Sequence, residues 1–264
     1  MKQRVVTAII FGLVFLTFVV VGGLPFTMFI IVVATIAMSE LLKMKKIAPY
    51  SPMGAFSLLP MWMLLLPNDW FKVVIPDFTK VEIFIFFILF LLLLTVLTKN
   101  TFTFDEAGFV ILSSAYIGYG FHFLLLSREI PEIGLPLVFF VLFVIWATDS
   151  GAYFAGRAFG KHKLWPHISP NKTIEGSIGG IILAVIIGSL FYWIMPLFSS
   201  YGVALAVIVV ASVFGQLGDL VESALKRHYA VKDSGTVLPG HGGILDRFDS
   251  LIYVMPILHL LHLL

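Results

Sequence analysis

Long apolar stretches alternate along this chain with short polar or Pro/Gly-rich breaks, and nine such stretches can be marked out: residues 5–21, 24–41, 53–66, 81–97, 107–126, 135–154, 178–198, 203–220 and 251–264. A helix needs roughly 20 mostly apolar residues to cross a bilayer, and in lipid the backbone must satisfy its own hydrogen bonds. The pattern therefore predicts an all-α fold, a polytopic transmembrane helix bundle of about nine spans. Together the stretches consume most of the 264 residues, leaving no room for a soluble domain of ordinary size. Pro25, Pro52 and Pro60 interrupt or bound the second and third stretches, so a re-entrant hairpin there is the rival topology. The first stretch follows Lys2 and Arg4 as a signal peptide's would, but it is long and shows no small-residue cleavage pattern before Gly22-Gly23-Leu24-Pro25. It reads as a retained helix.

Composition agrees: 59% of residues are hydrophobic and 12% charged, with a mean hydropathy of +1.03, far above a soluble domain. The absence of cysteine excludes a disulfide framework, a thiolate zinc site and a cysteine nucleophile. A net charge of +2 is too small to argue for nucleic acid. Its placement is more informative. Basic residues gather in alternate breaks: Lys2 and Arg4; Lys43, Lys45 and Lys46; Lys99; Arg157, Lys161, Lys163 and Lys172; Lys226, Arg227 and Lys232. By the positive-inside rule these breaks and the amino terminus face the cytoplasm. Nine spans then leave the carboxyl terminus outside, and the expected setting is the cell's inner (plasma) membrane.

The chain changes character near Trp146. Residues 1–145 are rich in Phe and Leu and read as a transmembrane scaffold; residues 146–264 bring carboxylates to the edges of apolar runs and read as the catalytic region. Asp149 sits near the end of the sixth stretch. A carboxylate in lipid costs about 2.5 to 3.5 kcal/mol on insertion scales and normally faces a bundle interior or a wet cavity; a cap for the following turn is the plainer alternative. Asp219, Ser223 and Lys226 are offset by four and seven residues, one face of a helix, though an ion-pair ladder on a helix leaving the membrane would look the same. Asp246 and Asp249 open the last stretch after Gly242 and Gly243, which would let backbone approach a phosphate closely, while acids in a first turn are also ordinary helix-dipole chemistry. Four carboxylates on one membrane face, interleaved with Lys and Arg, suit magnesium and a polyphosphate.

Two blocks resemble a known family. Ser223, Lys226, Arg227, Lys232, Asp233, Gly235, Leu238, Pro239, His241, Gly242, Gly243, Ile244, Asp246, Arg247, Phe248 and Asp249 stand at the spacing of the phosphatidate cytidylyltransferase signature, also called the CDP-diacylglycerol synthase signature. The block from Asp149 to Arg157, continued through Phe159, Lys161 and Lys163 to Asn171, Lys172, Glu175 and Gly176, is similar to that family's upstream motif. Ser150 and Asn171 stand where threonine and lysine are common in relatives. The likeness covers roughly residues 146–250; the first half resembles the family only in being polytopic.

The resemblance implies transfer of CMP from CTP to phosphatidic acid, releasing pyrophosphate and leaving CDP-diacylglycerol in the bilayer. It implies Asp219, Asp246 and Asp249 as ligands for Mg2+, with Mn2+ or an added monovalent cation as alternatives, and Lys226, Arg227, Lys232 and Arg247 as cations on the lipid phosphate or triphosphate. Ser223 and the backbone of His241, Gly242 and Gly243 would position phosphate oxygens. Asp149, Asp233 and Lys172 join the substrate-binding set, with Lys161 and Lys163 holding or recruiting nucleotide. His241 could serve as acid, donor or loop anchor.

Gly176, Gly180, Ala184 and Gly188 recur every four residues, a small-residue stripe that admits a neighbouring helix from the same subunit or from a homodimer partner. His122, His259 and His262 carry no assignment. Two rivals stand beside the main reading. A CTP-dependent kinase, or a cytidylyltransferase acting on another membrane lipid, shares the metal-and-cation logic. An ion-coupled transporter would use Asp149 and Asp219 as relay groups, but would not account for the glycine-histidine loop.

Overall fold

The computed structural model describes residues 2–74 and 76–264, with side chains from residue 6 onward other than at 74. The side chains of Lys2 and Arg4, counted above among the basic residues, lie outside the described ones. Each of the nine apolar stretches forms a helix: α1 (Lys2–Val21), α2 (Gly23–Met44), α3 (Pro52–Leu65), α5 (Lys80–Leu97), α6 (Phe104–Arg128), α7 (Gly134–Phe159), α8 (Ile174–Ile194), α9 (Tyr201–His228) and α10 (Leu245–Leu260). A short helix α4 (Asn68–Val74) and an antiparallel hairpin, β1 (Lys163–Trp165) with β2 (Ser169–Thr173), are the elements that the apolar pattern does not carry. Among the described residues six helices are long and apolar enough to cross a bilayer, namely α2 and α5 to α9, while the apolar part of α1 and α3 are shorter.

Local chemistry explains the boundaries. Thr79 with Glu82 and Thr103 with Glu106 form capping boxes that start α5 and α6. Ser51 caps α3 ahead of Pro52 at the first helical position. Pro25 falls in the first turn of α2, where a missing N–H costs nothing, and α2 runs unbroken for 22 residues. α3 does not double back. It lies parallel to α6, with the Ser114 hydroxyl on Ser57 O and the His122 ring on Leu65 O, and the chain returns through α5, whose Lys80 donates to Leu64 O at 3.2 Å.

The last four helices form the part of the bundle that carries function. α7 and α8 pack backbone against backbone: a Cβ at Gly180 would stand 2.7 Å from Thr148 O, and one at Gly176 2.8 Å from Ala152 O. The small-residue stripe thus faces α7 of the same chain, and Gly176, Gly180, Ala184 and Gly188 are buried there. The other side of α8 exposes Ile178, Ile182, Ile186 and Leu190, a surface suited to lipid. Antiparallel contacts continue from α8 to α9, where a Cβ at Gly188 would meet Ile208 and where Gln216 reaches Ser177 O at 3.4 Å.

These directions sort the connections onto two ends. At one end, Arg128 donates to Val19 O and Val20 O, Ser127 bonds His259 at 2.7 Å, and Ser189 bonds Tyr201 at 2.9 Å. At the other, Lys45 donates to Asp105 O, Phe109 packs edge-on against Tyr229, and Arg227 donates to Ile168 O in the hairpin. The second end gathers the basic breaks and every site residue named above.

Gly180→Leu should therefore destabilise the protein by about 1–3 kcal/mol, because the added side chain must push α7 from α8. Ile182→Leu, on the exposed side, should be neutral. Thermal unfolding of the two variants in one detergent checks the contrast.

Candidate functional site

α9 is the spine of the site. Its 28 residues span about 42 Å at 1.5 Å each, longer than a hydrocarbon core of about 30 Å, so one end reaches into polar surroundings. That end carries Asp219, Glu222, Ser223, Lys226 and Arg227. Lys226 pairs with Glu222 one turn back, which is fully buried, and donates to Asp246 Oδ1 at 2.7 Å. The other oxygen of Asp246 accepts from Ser234 N–H at 2.9 Å, Ser234 Oγ at 2.9 Å and Gly243 N–H at 2.7 Å. Asp246 thereby ties α9, the loop after it and the start of α10 together.

Three further carboxylates meet beside this knot. Gly218 lets α10 come in so closely that a Cβ there would be 2.8 Å from Asp249 O, and this sets Asp219 and Asp249 against each other. α7, held to α9 by the 2.9 Å bond between the Thr148 and Ser212 hydroxyls, brings Asp149 alongside. The charges act on one another: Asp219 on both Asp149 and Asp249, and Asp149 on Asp249. Of the three, Asp219 is directly paired, by Lys172 at 2.6 Å, and it also accepts from Ser223 Oγ at 3.2 Å.

Two recesses open on this cluster with Asp149 in the wall of each. One, of about 500 Å³, lies under the hairpin and is lined by Arg157, Asn171, Lys172, Gln216 and Asp219 among others. The other, of about 330 Å³, has His241, Asp246, Arg247 and Asp249 on one side and Phe11, Phe15 and Trp146 on the other. The hairpin that roofs the first is pinned by Glu175, which accepts from the Lys161 and His162 backbone N–H groups and bonds the His162 ring at 2.6 Å.

The sequence-predicted residues divide accordingly. Asp219, Ser223 and Lys172 are joined directly, with Asp149 and Asp249 facing them; Lys226 and Asp246 form the adjacent knot; His241 and Arg247 line the second recess. Arg227 anchors the hairpin, and Lys161, Lys163, Lys232 and Asp233 are exposed. Gly242 takes a φ of +83°, where a Cβ would be strained. Gly243 is occupied otherwise than expected: a Cβ there would collide with Ser234 and Glu40, so its smallness admits protein atoms.

Glu40, Glu222 and Ser234 lay outside the residues picked from sequence, and Glu175 stood in the upstream block without a role. Glu222 did carry a signal, the i,i+4 spacing to Lys226 inside an apolar run. Glu40 carried none, and with Phe11 and Phe15 it brings the first two helices into a site expected beyond residue 145. Among the described residues no three acidic or histidine groups converge on one point as metal ligands. The donor chemistry nevertheless fits a hard divalent cation, since Asp149 and Asp249 are carboxylates that face Asp219 with one lysine paired among the three.

Fold and site together define a polytopic membrane protein with a cluster of carboxylates and cations at one end of its bundle. The profile of the cytidylyltransferase family matches residues 2–264. Similar proteins include phosphatidate cytidylyltransferases from Bacillus subtilis, 52% identical over 99% of this chain and 97% of that one, from Staphylococcus saprophyticus, 47% identical over 99% and 98%, and from Staphylococcus haemolyticus, 45% identical over 99% and 98%. The chain belongs to the cytidylyltransferase family.

The two kinds of carboxylate should respond differently to substitution. Asp249→Asn removes one of three mutually repelling charges and should lower activity at least about 100-fold with no loss of thermal stability. Asp246→Asn deprives Lys226 of an ion partner and should cost activity and also about 1–3 kcal/mol. Turnover and melting temperature measured on both variants separate the roles.

Proposed function

We propose that this protein is a phosphatidate cytidylyltransferase, moving CMP from CTP to phosphatidic acid in phospholipid biosynthesis. The observation that supports the reading is the pair of recesses meeting at Asp149: one lies under the hairpin with Arg157, Asn171 and Lys172 in its lining, the other carries His241 and Arg247 together with apolar residues of α1 and α7. A nucleotide triphosphate suits the first, and a lipid phosphate with its chains in the membrane suits the second. In the reaction an oxygen of the phosphatidate phosphate attacks the α-phosphorus of CTP, a new P–O bond forms, the bond to the β-phosphate oxygen breaks, and pyrophosphate leaves with the electron pair. The attacking oxygen is already anionic, so no strong base is needed. What the protein supplies is charge neutralisation and alignment.

In this reading Lys172, Arg157 and Asn171 would hold the triphosphate, and Arg247 and His241, which line the other recess, the lipid phosphate. Ser223 orients Asp219. A magnesium ion, when bound, would neutralise phosphate oxygens and stabilise the departing pyrophosphate; Asp219 and Asp249 would hold it, joined by Asp246 if Lys226 gives way, and manganese would fit the same oxygens. The end of the bundle carrying the site faces the cytoplasm of a plasma membrane in this reading, because it collects the basic breaks.

Label placement tests the group transferred. CTP labelled at the α-phosphate should send label into lipid with phosphatidic acid as acceptor, while γ-label should appear in pyrophosphate; γ-label in lipid would make the protein a kinase.

Sidedness has its own check. The native chain has no cysteine, and Ser199 and Thr236 are exposed at opposite ends of the bundle. A membrane-impermeant thiol reagent on right-side-out vesicles should label Ser199→Cys and spare Thr236→Cys. The reverse result would put the site where CTP does not reach.

A further inference from the structure

Glu40 stands near the end of α2, in the half of the chain without site motifs, and it is 1% exposed. A buried carboxylate is costly unless its oxygens are satisfied, and here every donor comes from the region some 200 residues later. Its Oε1 accepts from Ile244 N–H at 2.9 Å and its Oε2 from Leu245 N–H at 2.9 Å, with the Ser234 hydroxyl 3.0 Å from Oε2 and its single proton shared between Glu40 and Asp246. The two amides are unpaired donors of the first turn of α10. Helix α10 has no side-chain cap of its own, since its N-cap is Ile244. Glu40 is the cap, supplied from another helix, and its negative charge sits at the positive end of the helix dipole.

The neighbouring sequence is built around it. A Cβ at Gly235 or at Gly243 would run into the Glu40 carboxyl, so two glycines of the loop leave room for this side chain. Ser234 lies between Glu40 and Asp246, within hydrogen-bond distance of both carboxyls. Glu40 and Asp246 thus clamp the loop and the start of α10 from two sides. That same first turn and the next present Arg247 and Asp249 to the recess.

We infer that Glu40 is a positioning residue for the transfer reaction: it sets the height and direction of the amino-terminal end of α10, and through it the placement of Asp246, Arg247 and Asp249. The inference rests on the site assignment above and touches no substrate directly. Glu40→Gln keeps size and one acceptor oxygen but faces the remaining donors with an amide N–H2. A displacement of the acids by a fraction of an ångström to an ångström would cut kcat about 10- to 100-fold, with KM for CTP changing less than about threefold, since the hairpin residues that hold nucleotide are not fastened to Glu40.

Two readouts on the full-length protein in detergent test this. The first is the split between kcat and KM for Glu40→Gln. The second, independent of activity, is hydrogen exchange of peptides covering Ile244 and Leu245, whose amides should lose protection in the variant while those of α7 and α8 keep theirs. A folded variant with wild-type kcat, or one with unaltered protection at the start of α10, overturns the proposal, and so does a loss confined to KM. Should Glu40→Gln not accumulate as folded protein, Ser234→Ala removes one arm of the clamp. It should show the same pattern at smaller size, a kcat loss of about 3- to 10-fold with reduced protection at Ile244 and Leu245; unaltered values there also overturn the proposal. Inactive wild-type protein would count against the assigned reaction, whereas the exchange result would still decide the clamp.

Discussion

The site depends on seating anionic side chains at the end of a bundle whose other surfaces are made for lipid. A buried charge without partners is prohibitively expensive, so each carboxylate must either be hydrogen-bonded by the protein or be held ready for something that binds. Asp246 shows the first solution. Lys226, Ser234 and Gly243 satisfy both its oxygens, and the price is paid in conformational freedom: loop, α9 and α10 become one rigid unit. Asp149 and Asp249 show the second. They are placed where Asp219 repels them, an arrangement that a cation or a ligand's positive neighbours would relieve. The two solutions lie side by side, and the rigid one holds the strained one in place.

Close backbone approach is what makes this geometry available. Side chains as short as aspartate can meet across helices only if the helix axes come together, and glycine is the residue that permits it. Gly218 does so between α9 and α10; Gly151, Gly176 and Gly180 do so between α7 and α8. Asp219 and Asp249 are thereby brought near each other, with Asp149 on α7 alongside, held to α9 by the Thr148–Ser212 bond. The hairpin then closes over them through Lys172 on Asp219 and Arg227 on Ile168 O.

The helices were legible because apolar runs in lipid admit one backbone solution, and the site's second half was legible because charge inside such runs is too costly to be incidental. Asp149, Asp219 and Asp249 drew notice at the edges of such runs, each with a plainer alternative, and the family resemblance gave them their roles. Glu40 drew none, since an acid three residues from Lys43 at the end of a span looks like an ordinary boundary charge, and its partners are some 200 residues away. The prolines act unequally: Pro25 lies in a first turn where it is harmless, whereas α3, which starts at Pro52 and contains Pro60, is a continuous helix of only 14 residues, shorter than the candidate spans. The glycines of the loop were read as letting backbone approach a phosphate, whereas at Gly243 the close atoms belong to Glu40 and Ser234 and its N–H donates to Asp246. The hairpin escaped notice because β1 and β2 are short and β2 contains Pro170, so no period-2 pattern marks them.

Asp149 belongs to both recesses, and that shared wall bears on how two unlike substrates can react without a soluble domain between them. CTP is confined to water and phosphatidic acid to the bilayer, so their phosphates can meet only at headgroup depth. The protein puts the cationic residues Arg157 and Lys172 around one recess and Arg247 around the other, an arrangement that in the proposed reaction would draw each phosphate to its own side. The acids between them would repel both anions if left bare. In the proposed reaction a cation on those acids would convert the barrier into a bridge, so anion binding and metal binding at such a centre would reinforce one another. The carboxylates would then act as a gate on charge: neither phosphate would gain by approaching the other until the positive charge that both require is in place.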